Sequence, residues 1–409
     1  MADVPTFVPV EEAQRIVLDH VRPLPPVTIS LDDALGLTLA ADVRCDTDVP
    51  MFDRAMMDGY AVRSADVAQA PVDLQVIGEV SAGGRRPGQV SSRQAVQINT
   101  GAPLPPGADV VVPVEDTDRE TGERRVTVNS AYAAECNVCR QGEYVAAGDC
   151  VLRAGERLGP EQVAVVATAG AVRVEVHRRP RVSVLVTGDE IVPPADRPTG
   201  SQIRNSNGPA LMALLAEEGV EALSLGVAGD DRGQLEERIR RGLESDCLCI
   251  TGGISMGTLD LVPEILERCG VRIHFRKMLT KPARPTMFGT APEGCSVFGL
   301  PGNPVSAFVA YWLVMHTALV TMQGRGGGRT ALVRATLDGR APATDRRQGY
   351  WPVQLRPDDD GRLMAKALSW AGSGDPFGMS AANGFLVRRP HSPAARSGEP
   401  VEVLVLRWP

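Results

Sequence analysis

Between residues 181 and 323 the chain alternates short apolar runs with helical patterns, and this alternation constrains the fold more than any other feature. Residues 247–250, CLCI, read as a buried strand. The run stops at Thr251-Gly252-Gly253 and predicts a helix from about Thr258. Upstream, RVSVLVTGDE (181–190) is a second strand ending in Thr187-Gly188-Asp189-Glu190, and residues 222–228 are a third, ending in Gly229-Asp230-Asp231. Helical patterns at 208–218, 234–244, 261–268 and 305–322 separate and follow them. Strands alternating with helices predict a right-handed, doubly wound α/β sheet. Such sheets bind ligands at the C-terminal ends of their strands, where this chain repeatedly places Thr-Gly, Gly or acidic residues.

Two adjacent glycines after a strand let the backbone turn sharply and approach a ligand. The N–H groups of such a turn, with a helix start behind them, make an anion seat. Taken alone, Gly252-Gly253 is better read as a plain tight strand-to-helix turn. Asp260 tips the balance, because a carboxylate beside an anion seat calls for a bridging cation. A basic, proline-stiffened stretch follows: Lys277, Lys281 and Arg284 with Pro282 and Pro285, then Leu300-Pro301-Gly302-Asn303-Pro304. A solvated basic loop is the plain reading. Near three acidic strand ends, a pocket of both signs is expected.

Carboxylates at Asp58, Asp189, Glu190, Asp230 and Asp260 suit Mg2+, which takes oxygen ligands and retains waters. Lys281, Arg284 and the glycine turns suit phosphate or another oxyanion. The combination describes metal-assisted handling of a phosphorylated ligand.

The rest of the chain is organised around this domain. Val10–His20 reads as an amphipathic helix with Val10, Ala13, Ile16 and Val17 on one face. Residues 27–39 give a strand and a short helical turn; 46–66 are loop, with Asp58-Gly59 at its tip, leading into the strand YAV. Residues 72–128 are short alternating runs divided by Gly and Pro, hence a small β domain. After the break GRGGGR (324–329), residues 331–409 predict a C-terminal β-barrel or sandwich, in which SWAGSGDPF has the composition of a binding loop or a plain turn.

Several function classes fall away. A net charge of −7 supplies no general cationic field for nucleic acid. The N-terminus lacks a signal-peptide pattern. The stretch 305–322 is long and apolar, but Asn303-Pro304 ahead of it and its internal Ser, His and Thr predict a buried core or dimer helix rather than a membrane span. Scattered cysteines, 8 in all, suit a reducing cytoplasm, and Cys136-x-x-Cys139 with Cys150 lacks a fourth zinc ligand. No Ser-His-Asp set is legible, GGISMG is not GxGxxG, and GxxxxGK[ST] is absent.

In order along the chain, FDRAMMDGYAV, INTGAPLPPGAD, VTGDE, TGGISMGTLD, KPARP and LPGNPVSAF resemble the MoeA/gephyrin E-domain family of molybdopterin molybdenumtransferases. The resemblance covers nearly the whole chain. It implies an elongated cytoplasmic homodimer with a linking subdomain (27–45 and 145–177, the N-terminal helix packing near the α/β domain), an inserted β subdomain (46–144), an α/β molybdopterin-binding domain (178–326) and a C-terminal β domain (327–409). It also implies a reaction: molybdate is inserted into adenylylated molybdopterin, with Mg2+ assisting and AMP released, at a site shared between subunits. An upstream adenylyltransferase would be a partner.

By the same resemblance, Asp58, Glu190, Asp230 and Asp260 are catalytic positions, with Glu190, Asp230 and Asp260 holding the metal. Thr100, Gly252, Gly253, Ser255, Lys281, Arg284, Pro301, Pro304 and Ser373 bind substrate; Lys281 with Arg284 receives molybdate and Asp58 comes from the partner subunit. The chain departs from the family pattern at Cys139 and Tyr144, where the family has Arg and Asp, and at Arg284, where it has Lys. It also departs at Gly349 and Pro352, which replace the Glu and second Arg of R-x-E-F-x-R. These losses leave open a diverged, gephyrin-like protein-binding scaffold. Molybdate and tungstate are not distinguishable from sequence.

Overall fold

Strand Cys247–Thr251 is buried at every position inside a six-stranded sheet. Cys247 and Cys249 face one apolar cluster with Val182, Val184 and Phe298, while Leu248 and Ile250 face another with Leu185 and Val297. A strand apolar at successive positions is what a sheet covered on both faces requires. The structure, a computed structural model, describes residues 4–84, 88–119, 124–229, 231–254, 261–326 and 331–409.

In spatial order the sheet runs Glu221–Ala228, Arg181–Thr187, Cys247–Thr251, Ser296–Leu300, Met287–Thr290 and Arg272–Phe275. The first four are parallel. Met287–Thr290 is antiparallel to both neighbours, because it forms a hairpin with Ser296–Leu300 rather than a helical crossover. Helix Asn207–Glu217 covers one face through Leu211, Leu214 and Leu215; helices Arg232–Gly242 and Val262–Arg268 cover the other through Leu235, Ile239, Ile265 and Leu266. Helices on both faces make the sheet doubly wound, as the alternation predicts. Arg232–Gly242 begins two residues before the predicted start because Asp231 caps it, its carboxylate accepting from Gln234 N–H at 2.8 Å. The predicted helix start at Thr258 lies outside the described residues.

The long apolar stretch is a mostly buried helix from Pro304 to Met322. Its middle turn, Tyr311–Met315, is π-helical, a change of hydrogen-bond span that a 3.6-residue pattern does not reveal. Helix Val10–His20 packs Val10, Ala13 and Val17 into the same cluster, and Gln14 Nε2 donates to Leu313 O at 2.9 Å.

The C-terminal strands Leu332–Asp338, Gln348–Pro357, Leu363–Ala367, Gly384–Arg388 and Pro400–Val405 close on one another. Gln348–Pro357 pairs with both Leu363–Ala367 and Gly384–Arg388, the two ends of the remaining strand order, so the sheet closes on Gln348–Pro357 and forms a small barrel. Thr280–Lys281, from the α/β domain, adds to it in parallel, Thr280 opposite Gln348 and Lys281 opposite Gly349.

All of this forms one unit with residues 1–27 and 36–40, whereas residues 28–35 and 41–174 form a second. The second unit contains a six-stranded sheet in the order Val110–Pro113, Gly59–Val62, Gln94–Ile98, Val72–Val80, Arg125–Val128 and Thr117–Asp118. Its two faces bury separate clusters, one around Ala61, Val96, Ile98 and Val111 and the other around Tyr60, Val62, Ala95 and Val112. The predicted strands of 72–128 are therefore one sheet, with YAV as a central member.

Candidate active site

The C-terminal ends of Arg181–Thr187, Cys247–Thr251 and Ser296–Leu300 open into a cavity of about 900 Å3. Its opposite wall is the loop from Thr280 to Pro285, and the barrel closes it with Arg347, Trp351, Trp370 and Ser373. The loop is set by its anchors. Met278 N–H donates to Arg284 O at 2.9 Å, Thr286 Oγ1 donates to Ala283 O at 2.8 Å, and Pro282 and Ala283 are buried. Lys281 and Arg284 flank this buried pair and are exposed, so anchoring the middle of the loop presents both charges.

Gly252 and Gly253 have φ of 93° and 59°. A Cβ on Gly252 would collide with the Thr187 carbonyl, and one on Gly253 would lie 2.8 Å from Thr187 Oγ1. Two strand ends thus meet at backbone level, which only glycine permits. Gly252 N–H donates to Leu300 O at 3.1 Å, joining the third strand.

A side-chain relay runs beneath this floor. Asn207 Nδ2 donates to Thr251 Oγ1 at 2.9 Å and to Gly302 O at 2.8 Å, and Thr251 Oγ1 donates to Pro301 O at 3.0 Å. These bonds fix the Pro301-Gly302-Asn303-Pro304 turn, whose Pro304 opens the long helix as its first residue. Asn303 Nδ2 donates to Ser373 Oγ at 3.0 Å and Val305 N–H to Ser373 O at 3.0 Å, so Ser373 docks on the turn. Thr187 Oγ1, Asn207 Oδ1 and Thr280 Oγ1 are buried without a partner among the described residues. Three such groups around one cavity mark a place for water, an ion or ligand.

The cavity carries both signs. Lys281 and Arg284 line it, and no carboxylate among the described residues pairs with either. Arg347 lines it too, with its guanidinium held by Asp345 at 2.6 Å. Glu190 supplies the carboxylate, folded over Gly188, where a Cβ would lie 2.5 Å from Oε2. Among the described residues no cluster of three or more His, Cys, Asp or Glu is poised for a metal. Asp230, Asp260 and Ser255 lie outside the described residues, so Glu190 is the one member of the predicted metal set that is placed.

The structure therefore brings together Glu190, Gly252, Gly253, Lys281, Arg284, Pro301 and Ser373 as cavity wall, with Pro304 directly behind. Asp58 and Thr100 belong to the other unit, where they bond to each other. In that unit Tyr144 is exposed beneath the Arg54 guanidinium, 5.5 Å from its ring centroid, and Cys139 is buried opposite Arg54 in a two-stranded pairing. Both family departures thus meet at one arginine, whose charge the tyrosine ring stabilises without a carboxylate. Cys136, Cys139 and Cys150 are free thiols outside any described metal cluster.

Sequence reasoning passed over Asn207, Thr280 and Trp351, and read SWAGSGDPF as a binding loop or turn for its Gly and Ser rather than for Trp370. The signal for Asn207 was available in Asn205-Ser206-Asn207 at the start of a helix. For the tryptophans, it was that of only 4 in the chain Trp351, Trp370 and Trp408 all fall in the C-terminal β domain. Trp351 reaches its place because its neighbour is Gly349; a Cβ there would overlap the indole.

Three family models match in succession: the MoeA N-terminal region (domains I and II) at residues 8–170, a probable molybdopterin binding domain at 183–320, and the MoeA C-terminal region (domain IV) at 334–406. The molybdopterin molybdenumtransferase of Bacillus subtilis is 30% identical over 422 residues, covering 100% of this chain and 98% of that protein. The molybdopterin molybdenumtransferase of Staphylococcus epidermidis is 34% identical over 338 residues, covering 81% and 80%. The crystal structure of the molybdopterin biosynthesis MoeA protein from Pyrococcus horikoshii OT3 superposes with a TM-score of 0.83 at 30% identity, covering 98% of this chain and 100% of that one. With models and relatives matching from end to end, the chain belongs to the MoeA family of molybdopterin molybdenumtransferases, transferase enzymes of molybdenum cofactor biosynthesis.

Proposed function

We propose that the large cavity binds adenylylated molybdopterin and molybdate, inserts the metal into the pterin and releases AMP. The observation that carries this is the pairing of a glycine floor with a cationic loop across one cavity of about 900 Å3. The Gly253 backbone N–H suits a phosphate, the Gly252 N–H being engaged by Leu300 O, and Lys281 with Arg284 suits a dianion such as molybdate. Ser373, held by Asn303, offers that oxyanion a hydroxyl. Pro301 and Pro304 keep the intervening turn rigid, so the donors are positioned before substrate arrives.

Glu190 fits Mg2+ in kind, because Mg2+ takes one or two carboxylates together with substrate phosphates and waters; Asp230 and Asp260 would complete the set. When bound, the ion supplies charge neutralisation at the phosphates and makes AMP a better leaving group. A second copy of the chain would bring Asp58 and Thr100 to the site in a homodimer. The free thiols support a cytoplasmic setting.

The test is AMP release from adenylylated molybdopterin by purified protein with Mg2+ and molybdate. Release that depends on molybdate and is abolished by Glu190→Ala is expected. Wild-type release no greater than that of the variant would refute the proposed reaction.

A further inference from the structure

Phe7 adopts φ 63°, the left-handed region that a bulky side chain rarely enters. Its neighbours hold it there. Val8 is buried, its N–H donates to Lys277 O at 2.9 Å, and Leu279 N–H donates to Val8 O at 2.8 Å. So pinned, the phenyl ring meets three cations: Lys277 Nζ is 5.5 Å from its centroid, and the guanidinium carbons of Arg284 and Arg346 are 4.8 and 5.9 Å away. A ring face attracts one cation well, but three around one ring repel each other. Among the described residues no carboxylate pairs with Lys277, Arg284 or Arg346. Asp345, beside them, is taken by Arg347, which donates to it through Nη2 at 2.6 Å and through its backbone N–H at 2.8 Å.

Beside the ring lies a separate cavity of about 280 Å3, walled by Phe7, Arg284, Asp345, Arg346 and Arg347. Arg284 and Arg347 also line the large cavity, so the two spaces share a wall of guanidinium groups. Strain held by surrounding structure and uncompensated charge at one place both point to a ligand that supplies the missing anion.

We propose that the Phe7 pocket is a second oxyanion site, which holds a tetrahedral dianion of the molybdate class next to the large cavity. Arg346 and Arg284 donate to its oxygens, Lys277 adds charge, and Phe7 forms an apolar back wall that keeps the cations apart. Arg284 touches both spaces, so a dianion held here sits one side chain from the large cavity. The site rests on its own geometry; the choice of molybdate as its dianion rests on the proposed function.

Calorimetric titration of the full chain with molybdate in low-chloride buffer tests this. Wild type is expected to bind two equivalents per chain. Arg346→Gln, a substitution at an exposed residue that lines only the small pocket, should weaken one class at least about tenfold and leave the other unchanged. Phe7→Leu should weaken the same class. Sulfate, with the same shape and charge, should compete for it. Lys281→Ala should affect only the other class; if it affects neither, the role proposed for Lys281 fails while the Phe7 pocket stands. Molybdate stoichiometry and affinity unchanged in both Arg346→Gln and Phe7→Leu would overturn the proposal.

Discussion

Asp58 Oδ1 accepts two hydrogen bonds from Thr100, one from the backbone N–H at 2.6 Å and one from Oγ1 at 2.9 Å. The sequence singles out both residues separately, and the fold joins them across two loops of one sheet. The backbone bond is the larger cause, followed by the hydroxyl, and together they hold the Asp58 carboxyl below the usual carboxylate range. Thr100→Val deletes only the hydroxyl bond. The Asp58 pKa is expected to rise in the variant while staying below that of a free aspartate, measured by 13C NMR titration of the side-chain carboxyl. An Asp58 titration identical to wild type would show that the hydroxyl contributes nothing.

Gly252→Ala is expected to damage the cavity floor from both directions. The residue lies at φ 93°, and its Cβ would meet the Thr187 carbonyl, which is fixed by a parallel strand. The strained backbone alone costs about 1–3 kcal/mol. Gly302→Ala is the matched control, since a Cβ there has only an ordinary contact at 3.7 Å, to Gly252 Cα. Urea unfolding should show a clear loss for Gly252→Ala and little change for Gly302→Ala.

The fold was legible wherever one local pattern decided an element. Residues 247–250 were apolar without a break, and only a strand covered on both faces accommodates that. Val10, Ala13 and Val17 recur at helical spacing and are the residues buried. Longer-range contacts were not legible. No periodicity announces that Lys281 pairs with Gly349 on a barrel edge, that Gly349 makes room for Trp351, or that Asn207 reaches Thr251 and Gly302. The cavity has one wall from each of two domains, so its composition follows from their docking. Likewise the charges on Lys277, Arg284 and Arg346 could be counted from sequence, but their meeting at Phe7 depends on an N-terminal backbone pairing.

His274 should make stability depend on pH. Burial, and then its neighbours His20 and Arg272, lower its pKa to about 4. The His20 ring stacks on it with centroids 3.8 Å apart, and its Nε2 is 2.9 Å from Thr290 Oγ1. In the unfolded chain a histidine takes its proton near pH 6.5, whereas in the folded chain this one waits until about pH 4. The unfolded state therefore binds more protons between those values, and stability falls as pH drops from 6.5 to 4. Urea midpoints at pH 7 and pH 5 should differ more for wild type than for His274→Gln.

Asp246 anchors the beginning of the central sheet. Its two carboxylate oxygens each accept from Arg178 at 2.6 Å, one also accepts from Arg181 N–H at 2.8 Å, and the side chain is 12% exposed. Burial raises its pKa, but the Arg178 and Arg181 bonds outweigh burial and leave it lowered. Asp246→Ala strands the Arg178 charge and a strand N–H together. Removing one partner of a largely buried pair costs about 3 kcal/mol, so the urea midpoint should fall well below that of wild type. Arg181→Ala, at an exposed side chain, should cost much less.

Trp351 and Trp370 make the large cavity visible to fluorescence. Of the 4 tryptophans, Trp312 is buried among helices and Trp408 is 65% exposed; neither lines that cavity. A flat heterocycle, whether adenine or a pterin, that enters beside an indole stacks on it and quenches its emission. Titration with AMP is expected to quench wild-type emission saturably. Trp351→Phe with Trp370→Phe should abolish the signal yet leave affinity within a few-fold, because phenylalanine still offers an apolar ring. Gly349→Ala tests the geometry independently of the indoles themselves: its Cβ displaces the Trp351 ring, so the quench should shrink although all the tryptophans remain. Quenching that survives the double substitution would place the nucleotide elsewhere.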